Sequence, residues 1–485
     1  MSNRSPFFAG FHRRLFGRKP VSGERKKLAE SSMADQLCGQ QLVVLFGHFI
    51  GAKLLDFKTF NGVNSRCRIF SVPVTFWAFL GQVLDSGSSC RKAVCRVQTL
   101  FSLQSLPPPA EDTSAYCSAR RRLPVRWLCR LNEAITSRLS AVDGRRGRLL
   151  VVDGTSTTLC DTPSLQSKYP QPSSQKPGCG FPLINILGLF DLRSGAWLAS
   201  AKGHADNHDL PLFRRLYRRL RKGDTVVADR AFCSWFDIAV LRAKGVDVVM
   251  RLHQARKVDF NQARRLGKGD YLVQWSRVKC PRWMNAAQYA LLPQEMEMRV
   301  VVSERVRPGW RTTKIYLATT LLEVTNHPLE KVAHLYSRRW QIELNFDTIK
   351  TTMQMETLRT KSPALVCREL LMHMIAYNLI RSLAQRAGVE DVDTMSFKGS
   401  LDRINSWSWV IWSAPNQRQS RFCVESLLES IRVDLVKRRP GRREPRAVKR
   451  RPGGFQLLTR PRHEMREIPH RSGSRNQKPK NPKAA

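Results

Sequence analysis

Three acidic residues occupy positions from which their carboxylates could meet. Asp153 directly follows the apolar run Leu149–Val152, and Asp229 directly follows Thr225–Ala228, two runs typical of buried β-strands. Glu343 lies in a segment whose apolar residues recur at helical spacing. Ligand sites of open α/β sheets gather outside the carboxyl ends of strands, so two acids there and one on a packed helix can converge.

The chemistry that three such carboxylates could support is metal-assisted phosphoryl transfer. Carboxylate oxygens are hard donors that suit Mg²⁺ or Mn²⁺. Two such ions, about 3.5 to 4 Å apart, can activate a water or a 3′-hydroxyl and stabilise the leaving oxygen of an in-line displacement. We therefore expect Asp153, Asp229 and Glu343 to be catalytic and to hold two Mg²⁺ ions, for which Mn²⁺ could substitute.

Glu343 shares a predicted helical face with three residues that could contact a polyanion. At about 100° per residue, this face is about 60° wide and contains Tyr336, Arg339, Glu343 and Lys350. A neighbouring apolar stripe can pack on a sheet and consists of Leu335, Ile342, Phe346, Ile349 and Met353. Taken alone, the polar face fits an ordinary solvent-exposed helix with an Arg339–Glu343 ion pair. The two aspartates after strands favour a working site.

The spacing Tyr-x2-Arg-x3-Glu-x6-Lys resembles the signature of DDE transposases of bacterial insertion sequences, in the insertion-sequence-four family. Its fixed positions are matched by Tyr336, Arg339, Glu343 and Lys350. The resemblance extends to Val-Val-Asp153-Gly-Thr-Ser, to Val-Val-Ala-Asp229-Arg-Ala-Phe and to the run that begins Tyr169-Pro-Gln-Pro. It covers roughly residues 110 to 460.

The resemblance implies an α/β fold with a ribonuclease H-like catalytic core, interrupted by a β-rich insertion before the catalytic glutamate. It also implies cut-and-paste transposition, with metal binding by the three carboxylates. By the same resemblance, the DNA backbone is contacted by Tyr336, Arg339 and Lys350. Their chemistry agrees, because Arg and Lys bind phosphates and Tyr can donate a hydrogen bond. The implied partners are double-stranded DNA, as the terminal inverted repeats of the element and as target DNA, and a second copy of the chain in a homodimer.

Related enzymes pass through a DNA hairpin and hold a flipped base against an aromatic ring. By that resemblance, Trp275, Trp283 and Trp310 in the insertion are candidates for stacking. For any single one of them, packing within a small β domain is the favoured alternative.

Several other polar residues are set aside. His204 and His208 have no third ligand nearby in the sequence, so we interpret them, with Asp206 and Asp209, as capping or hydrogen-bonding groups. The twelve cysteines contain no C-x-x-C pair, and we expect them to be reduced and structural.

The charge balance predicts a polyanionic partner. The chain has 82 Lys and Arg against 39 Asp and Glu, a formal net charge of +43. Nucleic acid is the favoured partner because counterion release rewards such an excess; a ribosomal or membrane-surface protein could show it too. We find no apolar run of the roughly 20 residues that a membrane span needs and no secretory signal. We therefore expect a bacterial cytoplasmic, nucleoid-associated protein without membrane partners.

Composition and hydrophobic periodicity along the chain suggest six units. We expect a helical, DNA-binding region at 1–145, although its basic helix faces could equally be merely solvated. The core is expected at 146–254 and 322–388, split by a β-rich insertion at 255–321. A helical region at 389–435 and a basic, disordered tail at 436–485 complete the list.

Two other functions share these features. One is a noncatalytic DNA-binding inhibitor of transposition, against which the intact carboxylate triad argues. The other is a ribonuclease H-like nuclease that cuts DNA without joining strands, which only an assay separates from a transposase.

Overall fold

A mixed α/β structure with one large sheet makes up the described part of the chain. The computed structural model describes residues 40–57, 69–103, 105–141, 147–305, 313–389, 394–436 and 464. Within these ranges ten strands form a single sheet, and helices cover it. None of the helices found there is both long and apolar enough to traverse a bilayer.

Helices precede the sheet. Those in the described part are α1 Gln40–Ile50, α2 Val72–Leu84, α3 Cys90–Leu103, α4 Ser114–Arg122 and α5 Val125–Ala141. The Ser71 hydroxyl caps α2 by accepting a hydrogen bond from the Val74 amide at 3.3 Å, and Pro73 occupies the first turn, where its missing N–H costs nothing. This region is helical where it is described, and residues 1–39 lie outside the described ranges.

The first half of the sheet consists of five strands: β1 Leu149–Leu159, β2 Leu183–Asp191, β3 Trp197–His204, β4 Thr225–Ala228 and β5 Asp247–Arg251. Their spatial order is β3-β2-β1-β4-β5. β1, β2 and β3 pair antiparallel, whereas β4 runs parallel to β1 and β5 parallel to β4. The connecting helices are α6 Pro163–Lys168, α7 Asp209–Arg214 and α8 Trp235–Ala243.

Alternate residues of β1 face two hydrophobic cores. Leu149 and Val151 pack into the core shared with the N-terminal helices, and Leu150 and Val152 into the core shared with α7 and α8. Coverage on both faces explains the unbroken apolar run. The strand continues to Leu159 and stays paired with β2 as far as Thr158. Asp153 therefore lies within β1, and the prediction that it follows the end of a strand is wrong.

The segment expected to be a β-rich insertion extends the same sheet. Its elements are β6 Arg264–Gly267, β7 Asp270–Ser276, α9 Ala286–Ala290, β8 Glu295–Arg305 and β9 Thr313–Thr319. β9 pairs antiparallel with β5, and β8, β7 and β6 follow outward. The insertion is therefore joined to the core by backbone hydrogen bonds.

The single helix predicted from Pro328 to about Met355 is divided. α10 Leu329–Ser337 ends in a turn, α11 Trp340–Asp347 follows, and a π-helical turn spans Thr348–Thr352. The constant angle per residue assumed for one helical face does not hold across the turn or the π turn. Both irregularities flank Glu343, and π turns are frequent at functional sites.

A long buried helix holds the sheet and the N-terminal helices together. After the short strand β10 Thr357–Leu358, which pairs parallel with β1, α12 spans Pro363–Arg386. Its Asn378 side chain accepts a hydrogen bond from the Trp197 amide and donates one to Asn132 of α5, each at 2.8 Å. α13 Phe397–Trp412 and α14 Gln417–Val433 follow. Nearly all of the predicted tail lies outside the described residues.

Candidate active site

Asp153 and Asp229 lie at the same level of two adjacent parallel strands. β1 and β4 pair in register as far as Val151 and Val227, and each aspartate is two residues beyond that last pair. The Asp153 carboxylate accepts a hydrogen bond from the Gly154 amide at 2.8 Å. The parallel register therefore brings the two carboxylates together at the edge where β4 ends, although β1 continues past it.

Glu343 reaches this edge from α11. The helix is anchored by buried Ile342 and Phe346, the latter packed edge-on against the Phe190 ring with centroids 5.4 Å apart. The Arg339 guanidinium joins Glu343 to the sheet: Nη2 lies 2.7 Å from Glu343 Oε1, and Nη1 lies 3.2 Å from Asp153 Oδ2. The structure thus connects two of the three predicted acids through one cation.

The site concentrates negative charge in a partly buried place. Burial raises the pKa of the Asp153 carboxyl to about 6, and the negative charges of Asp229 and Asp209 add to this rise. The Gly154 amide and the Arg339 guanidinium act in the opposite direction. One guanidinium is therefore too little positive charge for the cluster, and a further cation would be stabilised here.

Asp209 is a fourth carboxylate that the sequence interpretation sets aside. It begins α7, and a Cβ atom placed on Gly154 would lie 2.6 and 2.8 Å from its two oxygens. Burial raises the pKa of Asp209, against the positive charge of His208, and the charge of Asp229 raises it further. Only the tertiary structure brings Asp209 close to Asp153. The glycine directly after Asp153 was a signal in the sequence that another group approaches the backbone there.

Tyr336 and Lys350 differ in their surroundings. Burial raises the pKa of the Tyr336 hydroxyl, which also senses the charges of Arg339 and Asp229, so this ring lies beside the acids. Lys350 lies in the π turn, half-exposed, seven residues after Glu343. The structure thus brings Tyr336, Arg339 and Glu343 together, whereas Lys350 lies in the next helical turn.

The three candidate tryptophans differ in accessibility. Trp275 is only 5% exposed and has the Arg256 guanidinium 4.0 Å from its ring centroid. Trp283 is 43% exposed and is covered by Arg214 at 3.6 Å. Trp310 lies outside the described residues. Of the two described rings, Trp283 alone offers an exposed face.

The donor set suits a hard divalent cation, but its members are held apart. No group of three acidic, histidine or cysteine side chains within the described ranges is already arranged to surround a metal ion. The guanidinium of Arg339 stands between Asp153 and Glu343 instead. Carboxylate oxygens remain the ligands that Mg²⁺ and Mn²⁺ prefer, so the residues fit such ions once Arg339 moves away.

Comparison with known proteins assigns the chain. Residues 144–379, which contain all four carboxylates, match the transposase DDE domain family. The transposase InsG of insertion sequence element IS4 from Escherichia coli (strain K12) is 26% identical over 403 residues, 80% of this chain and 88% of that protein. A provisionally named transposase of element IS4SA from Synechocystis sp. (strain ATCC 27184 / PCC 6803 / Kazusa) is 20% identical over 372 residues, 75% of this chain and 97% of that protein.

A solved structure is also similar, at a low level. The piggyBac transposase synaptic complex with hairpin DNA, determined by cryo-EM, matches with a TM-score of 0.37 and 12% identity over 82% of this chain and 85% of that one.

The match to the transposase DDE domain and the similarity to the IS4 transposase indicate a DDE transposase, an enzyme that cleaves DNA and transfers the strands. Within that class, the similarity to the transposases of IS4 and IS4SA confirms the resemblance inferred from the signature spacing. Enzymes of this class use divalent metal ions.

Proposed function

We propose that this transposase performs cut-and-paste transposition of an insertion sequence with Asp153, Asp229 and Glu343 as its catalytic metal ligands. The observation that supports the proposal is the register of β1 and β4, which brings Asp153 and Asp229 to the same level, together with Arg339, which links Asp153 to Glu343 on α11. Two Mg²⁺ ions, with Mn²⁺ as a substitute, would activate the attacking oxygen and stabilise the leaving one. Asp209 adds negative charge that favours the ions without replacing a member of the triad.

The proposed fold class is a ribonuclease H-like core. It is supported by the order β3-β2-β1-β4-β5, with three antiparallel strands followed by two parallel ones, and by the carboxylates at the centre of that order. In the proposed division, 146–254 and 322–388 form the core and 255–321 interrupts it.

Arg339 has a double role in this proposal. In the free protein its guanidinium bonds Asp153 and Glu343 and so reduces their mutual repulsion. When DNA and metal ions enter, the same guanidinium is released to bond a backbone phosphate, for which its planar donor fork is suited. Tyr336 donates a hydrogen bond to the backbone from beside the acids, and Lys350 adds a phosphate contact from the π turn.

The proposed partners are double-stranded DNA, both the terminal inverted repeats and the target, and a second copy of the chain. The net charge of +43 supports a polyanionic partner and a location at the nucleoid of a bacterial cytoplasm. A homodimer would hold the two ends together, since both must be cut before the element can be joined elsewhere.

The test is strand cleavage of a DNA fragment that carries the element's ends, with Mg²⁺ and with EDTA, for the wild type and for Glu343→Gln. We expect metal-dependent cutting at the ends that is lost in the variant while DNA binding is kept. Binding without cutting by the wild type would identify a noncatalytic DNA-binding protein. Cutting without joining to target DNA would identify a nuclease.

A further inference from the structure

A second group of reactive side chains lies outside the carboxylate site, where α2, α3 and α4 meet α12. A cavity of about 180 Å³ is lined there by Gln82, Cys90, Arg120, Glu369 and His373. The segment that follows the π turn forms another part of its wall. Nothing in the transposition chemistry uses these groups.

Two cysteine sulfurs are in contact beside this cavity. Cys90 begins α3 and Cys117 lies within α4, and their Sγ atoms are 3.8 Å apart. Both residues are partly exposed, so a small solute can reach them. A disulfide bond is about 2.05 Å long, so the sulfurs need to approach by about 1.8 Å.

A buried cation stands over the pair. Arg120 is 5% exposed, and its Nη2 lies 3.3 Å from Cys90 Sγ and 3.8 Å from Cys117 Sγ. Among the residues that the structure describes, no carboxylate forms an ion pair with Arg120, and its Nε has no hydrogen-bond partner. Two aromatic rings pack on the guanidinium, those of Phe79 and Tyr116. The negative charge of Glu369 also acts on Arg120, but the groups in contact with its Nη2 are the two sulfurs, and a guanidinium there favours a thiolate.

The thiol electrostatics agree with this geometry. The hydrogen bond with Cys90 and the positive charge of Arg120 lower the pKa of the Cys117 thiol to about 6, against the effect of burial. Both the geometry and this lowered pKa favour a thiolate in the pair, the form in which cysteine reacts as a nucleophile.

We propose that Cys90 and Cys117 are a redox-active pair that hydrogen peroxide converts into a disulfide. The Cys117 thiolate attacks one peroxide oxygen, the O–O bond breaks, and the hydroxide that leaves is protonated to water. Cys117 is then a sulfenic acid, oxidised by two electrons. The Cys90 sulfur attacks that of Cys117, the S–S bond forms, and the released hydroxide takes up the Cys90 proton as a second water.

The first experiment maps disulfides in the full-length protein after brief exposure to a small molar excess of hydrogen peroxide at pH 7. Free thiols are blocked with N-ethylmaleimide, and the digest is analysed by mass spectrometry. We expect a peptide linked through Cys90 and Cys117 that dithiothreitol returns to two free thiols. If no linked peptide forms, or if Cys95 on the same helix is oxidised first, the proposal is wrong.

Variants separate the two roles. Cys90→Ser should leave a sulfenic acid at Cys117 that dimedone traps, and Cys117→Ser should abolish the reaction at both positions. Cys95→Ser is the matched control from α3 and should leave the linked peptide unchanged. A dimedone adduct on Cys90 in the Cys117→Ser protein at the wild-type yield would overturn the assignment of the nucleophile.

The role of Arg120 is tested by the pH dependence of the alkylation of Cys117 in the Cys90→Ser background. The midpoint should lie below about pH 8, under the ordinary value for cysteine, and move upward when Arg120→Met is added, whereas Arg120→Lys should restore part of the shift. An unchanged midpoint in a folded Arg120→Met protein would contradict the argument. If that variant does not fold, a midpoint above pH 8 in the Cys90→Ser protein itself contradicts it.

Discussion

Two arginine–carboxylate clusters in this enzyme contain the same chemical groups and differ in how completely they are paired. In the insertion, Arg299 is fully buried and bonds both oxygens of Asp270, at 2.8 and 2.5 Å. Its remaining donors reach the carbonyl oxygens of Leu321 and His327, at 3.1 and 2.6 Å. One cation meets one anion, and all three guanidinium nitrogens donate hydrogen bonds, so the pair is saturated.

At the candidate active site the pairing is incomplete. Arg339 donates a hydrogen bond to Asp153 from one nitrogen and to Glu343 from another. The negative charges of Asp229 and Asp209 also act on Asp153. Its side chain is 17% exposed, so it can exchange partners with solvent and ligands. The comparison teaches that a saturated pair serves the fold, whereas a cluster with excess negative charge is prepared for a cation.

The largest expected effect concerns the unsaturated cluster. Asp153→Asn or Asp229→Asn should reduce cleavage of the element's ends on the order of 10³-fold or more, because several kcal/mol of transition-state stabilisation are lost at about 1.4 kcal/mol per tenfold. DNA binding should change little, and the melting temperature should not fall. Asp259→Asn, at an exposed position of the insertion, is the charge-matched control. Cleavage within tenfold of the wild type would remove that aspartate from the site.

The saturated cluster should show the reverse behaviour. Arg299→Met leaves Asp270 as a buried, unpaired charge and should lower the free energy of unfolding by about 3 to 5 kcal/mol. Urea denaturation measures this, and the double variant Arg299→Met with Asp270→Leu should recover most of the loss. A single variant as stable as the wild type would show that the pair does not support the fold.

The pH dependence of stability probes the excess charge. The pKa of Asp153 is raised from 3.8 to about 6. Between these two pH values the folded protein keeps a proton on Asp153 that the unfolded chain has released. In EDTA, the Asp153 contribution to stability should therefore be present below about pH 4 and lost as pH rises through about 6. Measured against Asp153→Asn, the free energy of unfolding should change over this pH range by at most about 3 kcal/mol. Parallel pH profiles of the two proteins would contradict the raised pKa.

A smaller effect is expected from Arg339→Gln. The partly exposed guanidinium should contribute about 1 kcal/mol or less to stability. Because it competes with metal ions for the carboxylates, its removal should strengthen Mn²⁺ binding to the DNA-free protein roughly fivefold, the equivalent of about 1 kcal/mol. Electron paramagnetic resonance titration measures the free Mn²⁺. Weaker Mn²⁺ binding would mean that Arg339 helps to form the metal site.

The smallest effect is expected at Lys350. Lys350→Ala should reduce the slope of log K against log[salt] for DNA binding by about 0.9, as expected for one lost phosphate contact. Lys331→Ala, exposed on α10, is the matched control and should leave the slope unchanged. An unchanged slope for Lys350→Ala removes this lysine from the DNA contacts.

Much of the site was predictable because its signals are local. The apolar runs before Asp153 and Asp229 predicted strands that are covered on both faces. The spacing from Tyr336 to Lys350 indicated the resemblance to a family. The predicted helix around Glu343 was wrong in its continuity, since periodicity carries no information on a tight turn or a π turn.

The sequence by itself determined which residue types are present, the strands that carry Asp153 and Asp229, and the family, because each depends on neighbours along the chain. Only the tertiary structure decided that β1 continues past Asp153, that Asp209 approaches Gly154, and that Arg339 joins two acids. These facts depend on pairing between distant segments. Their free energy comes from burial and from charges brought together by the sheet, which no local pattern encodes.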